Sequence, residues 1–199
     1  CFWAACLVGF FSFFRKSNLL VESHILFDPS RHLCANDIQF TTTGAVLKVR
    51  WSKVIQFRER TLHIPLPKIP NSMFCPSTAL LMLTLENSRC PAPVPLFRYR
   101  LAGADNIPLT YKQFTAKLNS CLSASGIHAS KYSGHSFRRG GATFALQCGL
   151  PVNLIKLQGD WSSDAVDRYL EPSFGLRKQV ADTMGSAVSE NSTSTSSLG

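Results

Sequence analysis

Acidic side chains are scarce in this sequence. Twelve Asp and Glu stand against 21 Lys and Arg in 199 residues, a formal net charge of +9 with a pI near 9.4. An excess of that size points to an acidic partner, most often nucleic acid. Paired cysteines are missing too. The seven Cys (1, 6, 34, 75, 90, 121 and 148) are scattered and form no CxxC. An odd, unpaired set argues against a disulfide framework or a zinc site and fits reduced thiols in an intracellular compartment, the nucleus if the host is eukaryotic. His32 and Cys34 lie close together, but two ligands do not make a metal site. Long hydrophobic runs are also lacking. The one stretch that approaches a membrane segment, "CFWAACLVGFFSFF", stops after 14 residues at Arg15-Lys16, whereas a spanning helix needs about 20. It follows neither an initiator Met nor a basic segment, so it is not read as a signal peptide. Its start in mid-pattern at Cys1 reads as part of a longer chain. There is no internal repeat and no Gly-rich phosphate loop of the nucleotide-binding type.

What is present is a mixed pattern. Residues 2–14 read as a buried helix. Residues 38–42, 45–51 and 61–66 are β-branched and alternating, with Gly44 between the first two, and predict a three-stranded antiparallel meander. A polar loop, "SKVIQFRER", joins its second and third strands. Pro76 starts a helix, and residues 90–109 are Pro-rich and read as irregular. Thr110 can cap the helix that follows, and Gly126 can end it. Further helices are expected at 135–148, 152–158, 163–170 and 175–183. The Ser/Thr-rich end, 186–199, reads as a disordered tail. The fold class is therefore α+β: one mostly helical domain over 1–185 with a small three-stranded sheet.

Two segments carry chemistry. In "YSGHSFRRGGATFA" His135 and Arg138 lie three apart and share one helix face. An Arg beside a His suits an oxyanion or phosphate, because guanidinium offers forked donors and keeps its charge. Gly140 and Gly141 interrupt that helix, either for close approach behind the clamp or for simple helix packing. In "GDWSSDAVDRYLEP" Trp161 opens a turn and Tyr169 follows two turns later.

Taken together with "FFSFFRKSNLL" and "VRWSKVIQFRERTLHIPLP", these segments resemble the catalytic domain of tyrosine recombinases, the phage-integrase family. The family pattern is an early Arg, a Lys in a β-turn, His-x-x-Arg, then His or Trp, then a Tyr nucleophile. Arg15, Lys53, His135, Arg138, Trp161 and Tyr169 match it in order over residues 2–185. Trp at the fifth position and "RYL" around Tyr169 look most like recombinases of eukaryotic mobile elements, DIRS-like retrotransposons among them. Asn18 stands where the first box usually has Glu, which predicts weaker support around Arg15. Asp160 places a carboxylate close to the phosphate position. The family's N-terminal helical clamp domain is not in this chain.

The resemblance implies a DNA breaking-rejoining core that acts on double-stranded DNA, as a homotetramer on two duplexes, without metal, ATP or membrane. A free Tyr hydroxyl has a pKa near 10, so only about 0.1% is ionised at neutral pH, and attack on a phosphodiester needs a positive field and a proton acceptor. Arg15 and Arg138 would grip the non-bridging oxygens, and His135 would bond the phosphate or help remove the proton. Trp161 would offer its N–H and bulk, and Lys53 would protonate the leaving 5′ oxygen. Arg139 neighbours Arg138, but the spacing from His135 favours Arg138. Tyr99, Tyr111 and Tyr132 lie in the wrong place relative to the boxes. Arg50, Arg58, Arg60, Lys112, Lys131 and Arg139 are the expected phosphate contacts. A decayed or domesticated DNA-binding module of the same fold is the alternative.

Overall fold

The first helix decides the architecture because it is apolar on every side. Helix α1 (Phe2–Ser12) buries Ala4, Ala5, Cys6, Leu7, Val8 and Phe11, and a helix with no polar stripe belongs inside a core. The computed structural model describes residues 1–51, 61–85, 93–101, 104–161 and 174–194. Within these, α1 is packed by α3 (Pro76–Leu85), by α5 (Gly134–Gln147) and by strand β3 (Leu62–Pro67). Among the described residues no helix is long and apolar enough to cross a membrane.

The expected meander is present. Strands β1 (Ile38–Thr41), β2 (Gly44–Val49) and β3 form an antiparallel sheet in the order β1-β2-β3. Register runs from Gly44 opposite Pro67 to Val49 opposite Leu62, with Lys48 opposite His63. The alternation of β2 puts Ala45, Leu47 and Val49 into the core and Lys48 outside. Gly44 is required where it stands: its φ is 149°, and a Cβ there would lie 2.0 Å from the Leu66 carbonyl oxygen. The loop 52–60, with Lys53, Arg58 and Arg60, lies outside the described residues.

Helix α4 (Tyr111–Ala124) begins as the sequence predicts. The Thr110 hydroxyl accepts from the Gln113 backbone N–H at 3.3 Å, and Gly126 follows the helix at a φ of 73°. Helix α6 (Val152–Gly159) comes after Gly149, at a φ of 79°. Together with the short α2 (Lys16–Leu19) these make a mostly helical α+β domain.

Two expectations need correction. Residues 90–109 are not irregular throughout: β4 (Arg98–Leu101) and β5 (Ala104–Pro108) pair antiparallel. A register shift between Tyr99 and Leu101 and a left-handed Asn106 (φ 61°) break the two-residue alternation by which a strand is read from sequence. The last helix, α7 (Phe174–Ser194), also runs past position 186, where a disordered tail is expected. Val180, Ala181 and Met184 are buried, Gly185 abuts Pro67 of β3, and Val188 packs on the core. The apolar stripe therefore continues where Ser-rich composition hides it. The helix expected at 163–170 lies outside the described residues.

Candidate active site

The site grows from the end of α1. Phe13 leaves the helix in the left-handed conformation, φ 53° and ψ 35°, with its ring buried. A bulky residue takes that conformation only when its surroundings enforce it. The turn aims the chain into α2, and Arg15 precedes the first residue of that helix. Asn18 holds Arg15 by a reciprocal pair: the Arg15 N–H donates to Asn18 Oδ1 at 3.2 Å, and the Asn18 N–H donates to the Arg15 carbonyl at 2.9 Å. The missing Glu therefore leaves Arg15 with firm backbone support, through an amide in place of an acid.

The second arginine arrives on α5. Ser133 caps this helix, its hydroxyl accepting from the His135 N–H at 3.2 Å, while the Ser133 N–H donates to Ser136 Oγ. Gly141 lets α5 press against α1: a Cβ there would lie 2.1 Å from the Phe10 carbonyl oxygen and 2.8 Å from the Phe13 ring. Gly140 shows no such need, since among the described residues a Cβ would meet only the edge of Phe10 at 3.9 Å. Close approach is thus the reason for one of the two glycines.

This packing buries Arg138 to 3% exposure. Its Nη1 donates to the Phe13 carbonyl, at the end of α1 where orphan carbonyls collect. The guanidinium carbon stands 3.9 Å from the Trp161 ring centroid, and Phe13 and Trp161 pack at 5.8 Å. Nη2 is buried and has no hydrogen-bond partner among the described residues. Burial pushes the Arg138 pKa down to about 10, and the charge of Arg15 pushes the same way, while Asp160 opposes them. Arg15 and Arg138, 123 positions apart by number, are thus close enough to repel. A fixed cation with a donor unused among the described residues, beside a second cation and an aromatic face, suits an incoming anion.

Trp161 is placed by the end of α6. Gln158, fully buried, donates from Nε2 to the Phe11 carbonyl at 3.0 Å. Asp160 is left-handed at φ 49°, and Arg177 of α7 donates to the Leu157 carbonyl. Phe13, Asn18, Gln158 and Arg177 were not legible as site residues. Only Asn18 carried a signal, as a departure from the family pattern.

The structure thus gathers Arg15, Arg138 and Trp161. His135 lies in the first turn of α5 with its side chain exposed. Lys53 and Tyr169 are outside the described residues.

The chain is similar to an integrase/recombinase. An "Integrase/recombinase xerD homolog" from Selenomonas ruminantium is 28% identical over 171 residues, which covers 84% of this chain. The chain spans 46% of that relative's length. A solved complex of a Flpe mutant with a DNA Holliday junction aligns over 85% of this chain and 40% of its own, at 17% identity and a TM-score of 0.49. No protein-family model matches.

The expected phosphate contacts divide. Arg50 is not a free guanidinium: it grips both carboxylate oxygens of buried Asp37, and its Nη2 also reaches the Pro29 carbonyl at 3.0 Å. It ties the end of β2 to the segment before β1, and its side chain stays partly exposed. Lys112, Lys131 and Arg139 are exposed, and Arg58 and Arg60 lie outside the described residues. Lys16 lies over the Tyr111 ring at 4.2 Å, and that ring abuts Gly134 at the start of α5. Lys16 therefore stands near the start of α5. Among the described residues no group of three His, Cys, Asp or Glu could hold a metal ion.

Proposed function

We propose that this chain cuts and rejoins DNA strands through a covalent 3′-phosphotyrosyl intermediate on Tyr169, in site-specific recombination or integration. The observation that carries the reading is the buried Arg138, whose Nη2 has no partner among the described residues, with the charge of Arg15 beside it. Two positive charges held together are costly unless an anion completes them, and a phosphodiester supplies it. Similarity to an integrase/recombinase supports the same reading.

In the proposed reaction the Tyr169 oxygen forms a bond to phosphorus as the bond to the 5′ oxygen breaks. The Tyr proton passes to a neighbouring acceptor, with His135 as the candidate, and Lys53 protonates the leaving oxygen. One phosphate ester replaces another, so the bond is conserved without ATP. Attack by a 5′ hydroxyl from another duplex reseals the strands in a new order. Assembly as a homotetramer on two duplexes, and origin in a eukaryotic mobile element of the DIRS-like type, belong to this proposal and rest on the residue pattern. So do phosphate contacts by Lys112, Lys131 and Arg139. The second reading, a binding module without cleavage, draws on Asp160, whose charge is felt at Arg138.

A denaturing gel of protein incubated with nicked duplex carrying its site separates the two. A covalent protein–DNA band that vanishes in Tyr169→Phe is the expected result. Binding without a band on that duplex establishes the module. DNA affinity should fall with salt at a log–log slope of about −0.9 per phosphate neutralised; affinity indifferent to salt removes DNA as the partner.

Lys53 has its own test. Lys53→Ala should slow cleavage of ordinary DNA by about 10²-fold, in the range of a lost general acid. With sulfur in place of the 5′ bridging oxygen, the variant should match the parent, because a thiolate leaves without being protonated. An equal defect on both substrates would remove Lys53 from the acid role.

A further inference from the structure

Gly159 closes α6, and its φ is not in the left-handed region. Backbone conformation therefore does not demand glycine there. Helix propensity alone would favour Ala, by about 1 kcal/mol. The space around it does demand glycine. A Cβ at 159 would lie 2.0 Å from Cζ3 and 2.3 Å from Cε3 of the Trp161 ring. Those distances are far inside van der Waals contact.

The half-buried ring has close neighbours where it stands. One neighbour is the Arg138 guanidinium at 3.9 Å and another is Phe13 at 5.8 Å. The backbone beneath it is held from several sides. The Trp161 N–H donates to the Lys156 carbonyl at 3.1 Å and the Asp160 N–H to the Leu157 carbonyl at 3.3 Å. Leu157 also accepts from Arg177 on α7, and Gln158 is tied to the Phe11 carbonyl of α1. A methyl group at 159 would therefore force the indole out of its present place over Arg138.

We infer that Gly159 is a positioning residue of this site, acting through Trp161: a bare position at the end of α6 is what allows the indole to lie over the Arg138 guanidinium. The inference rests on the proposed strand-cleavage reading for its effect on rate, but not for its effect on the ring. With the indole in place, Arg138 has an aromatic wall on one side and the Phe13 carbonyl on another, so Nη2 has a set direction. With it displaced, the guanidinium gains rotational freedom and water, and the preorganisation that serves a transition state is lost.

The test is a double-mutant cycle with a spectroscopic readout. The sequence has three Trp, at 3, 51 and 161. In a Trp3→Phe/Trp51→Phe background, fluorescence reports Trp161 alone. Gly159→Ala should shift that emission to longer wavelength, as the ring leaves its packed place. It should slow cleavage by about 10²-fold, the scale of a small misplacement, with DNA affinity near the parent's. In a Trp161→Ala background, or Trp161→Phe should the Ala variant not fold, Gly159→Ala should have almost no further effect, because the residue it acts through is gone. Unchanged Trp161 emission, or the same fold-loss in both backgrounds, overturns the inference. Should Trp161→Ala cleave as fast as the parent while the emission still shifts, the ring's placement stands and Trp161 loses its part in the proposed reaction.

Discussion

Arg138→Ala should slow strand cleavage by about 10³-fold, the lower range for an arginine that stabilises phosphoryl transfer, and weaken DNA binding far less. The difference follows from where charge is greatest. The pentavalent transition state carries more negative charge on its non-bridging oxygens than the bound ester, so a donor fixed at Nη2 acts mainly on the rate. The same substitution has a structural consequence that must be measured with it. Arg138 satisfies the Phe13 carbonyl inside the core, and a buried acceptor left without a donor costs about 1–3 kcal/mol. Thermal unfolding should therefore show a lower midpoint for Arg138→Ala. Arg138→Lys separates the two effects: it retains the charge but not the forked geometry, so it should recover affinity without the rate. Equal losses in cleavage and affinity for Arg138→Ala would remove the transition-state role.

Gly141→Ala should be the most destabilising of the small substitutions on α5, by about 3 kcal/mol, at the upper end for overpacking a tight core. On a chain of this size that is a fall in midpoint of about 6–12 °C. The added methyl meets the Phe10 carbonyl, which is backbone and has nowhere to go, and the Phe13 ring. Because Phe13 also carries the carbonyl that anchors Arg138, the substitution should disturb the site as well as the fold. Gly140→Ala is the control. Among the described residues it meets only the edge of Phe10 at 3.9 Å, and it gains helix propensity, so it should be neutral or more stable by up to about 1 kcal/mol. Similar midpoints for the two variants would mean that α5 does not approach α1 as closely as described.

The contrast between neighbouring glycines shows where sequence reasoning stops. Both read the same in "RRGGATFA", because propensity counts residues without knowing which side of a helix meets another backbone. The sheet was legible for the opposite reason: Ala45, Leu47 and Val49 alternate cleanly, and one buried face sets the register. The β4–β5 hairpin was not legible, since a bulge and a left-handed Asn106 disrupt the period. The length of α7 was hidden by its Ser-rich composition, and Gly185 lies where the helix meets Pro67.

The site divides along the same line. His135-x-x-Arg138, Trp161 and the early Arg15 could be named from order and spacing, because side-chain chemistry and helical period are local properties of the chain. Arg50 reads from sequence as a strand residue that could touch DNA backbone, and its pairing with buried Asp37 is visible only in the fold. That Arg15 and Arg138 share one field, that the end of α1 anchors Arg138, and that an amide at 18 holds Arg15 in place were all decided by the fold. Charge and residue type are written in the sequence. Proximity across more than a hundred residues, and the buried donor left unused among the described residues, arise only when the core closes around α1.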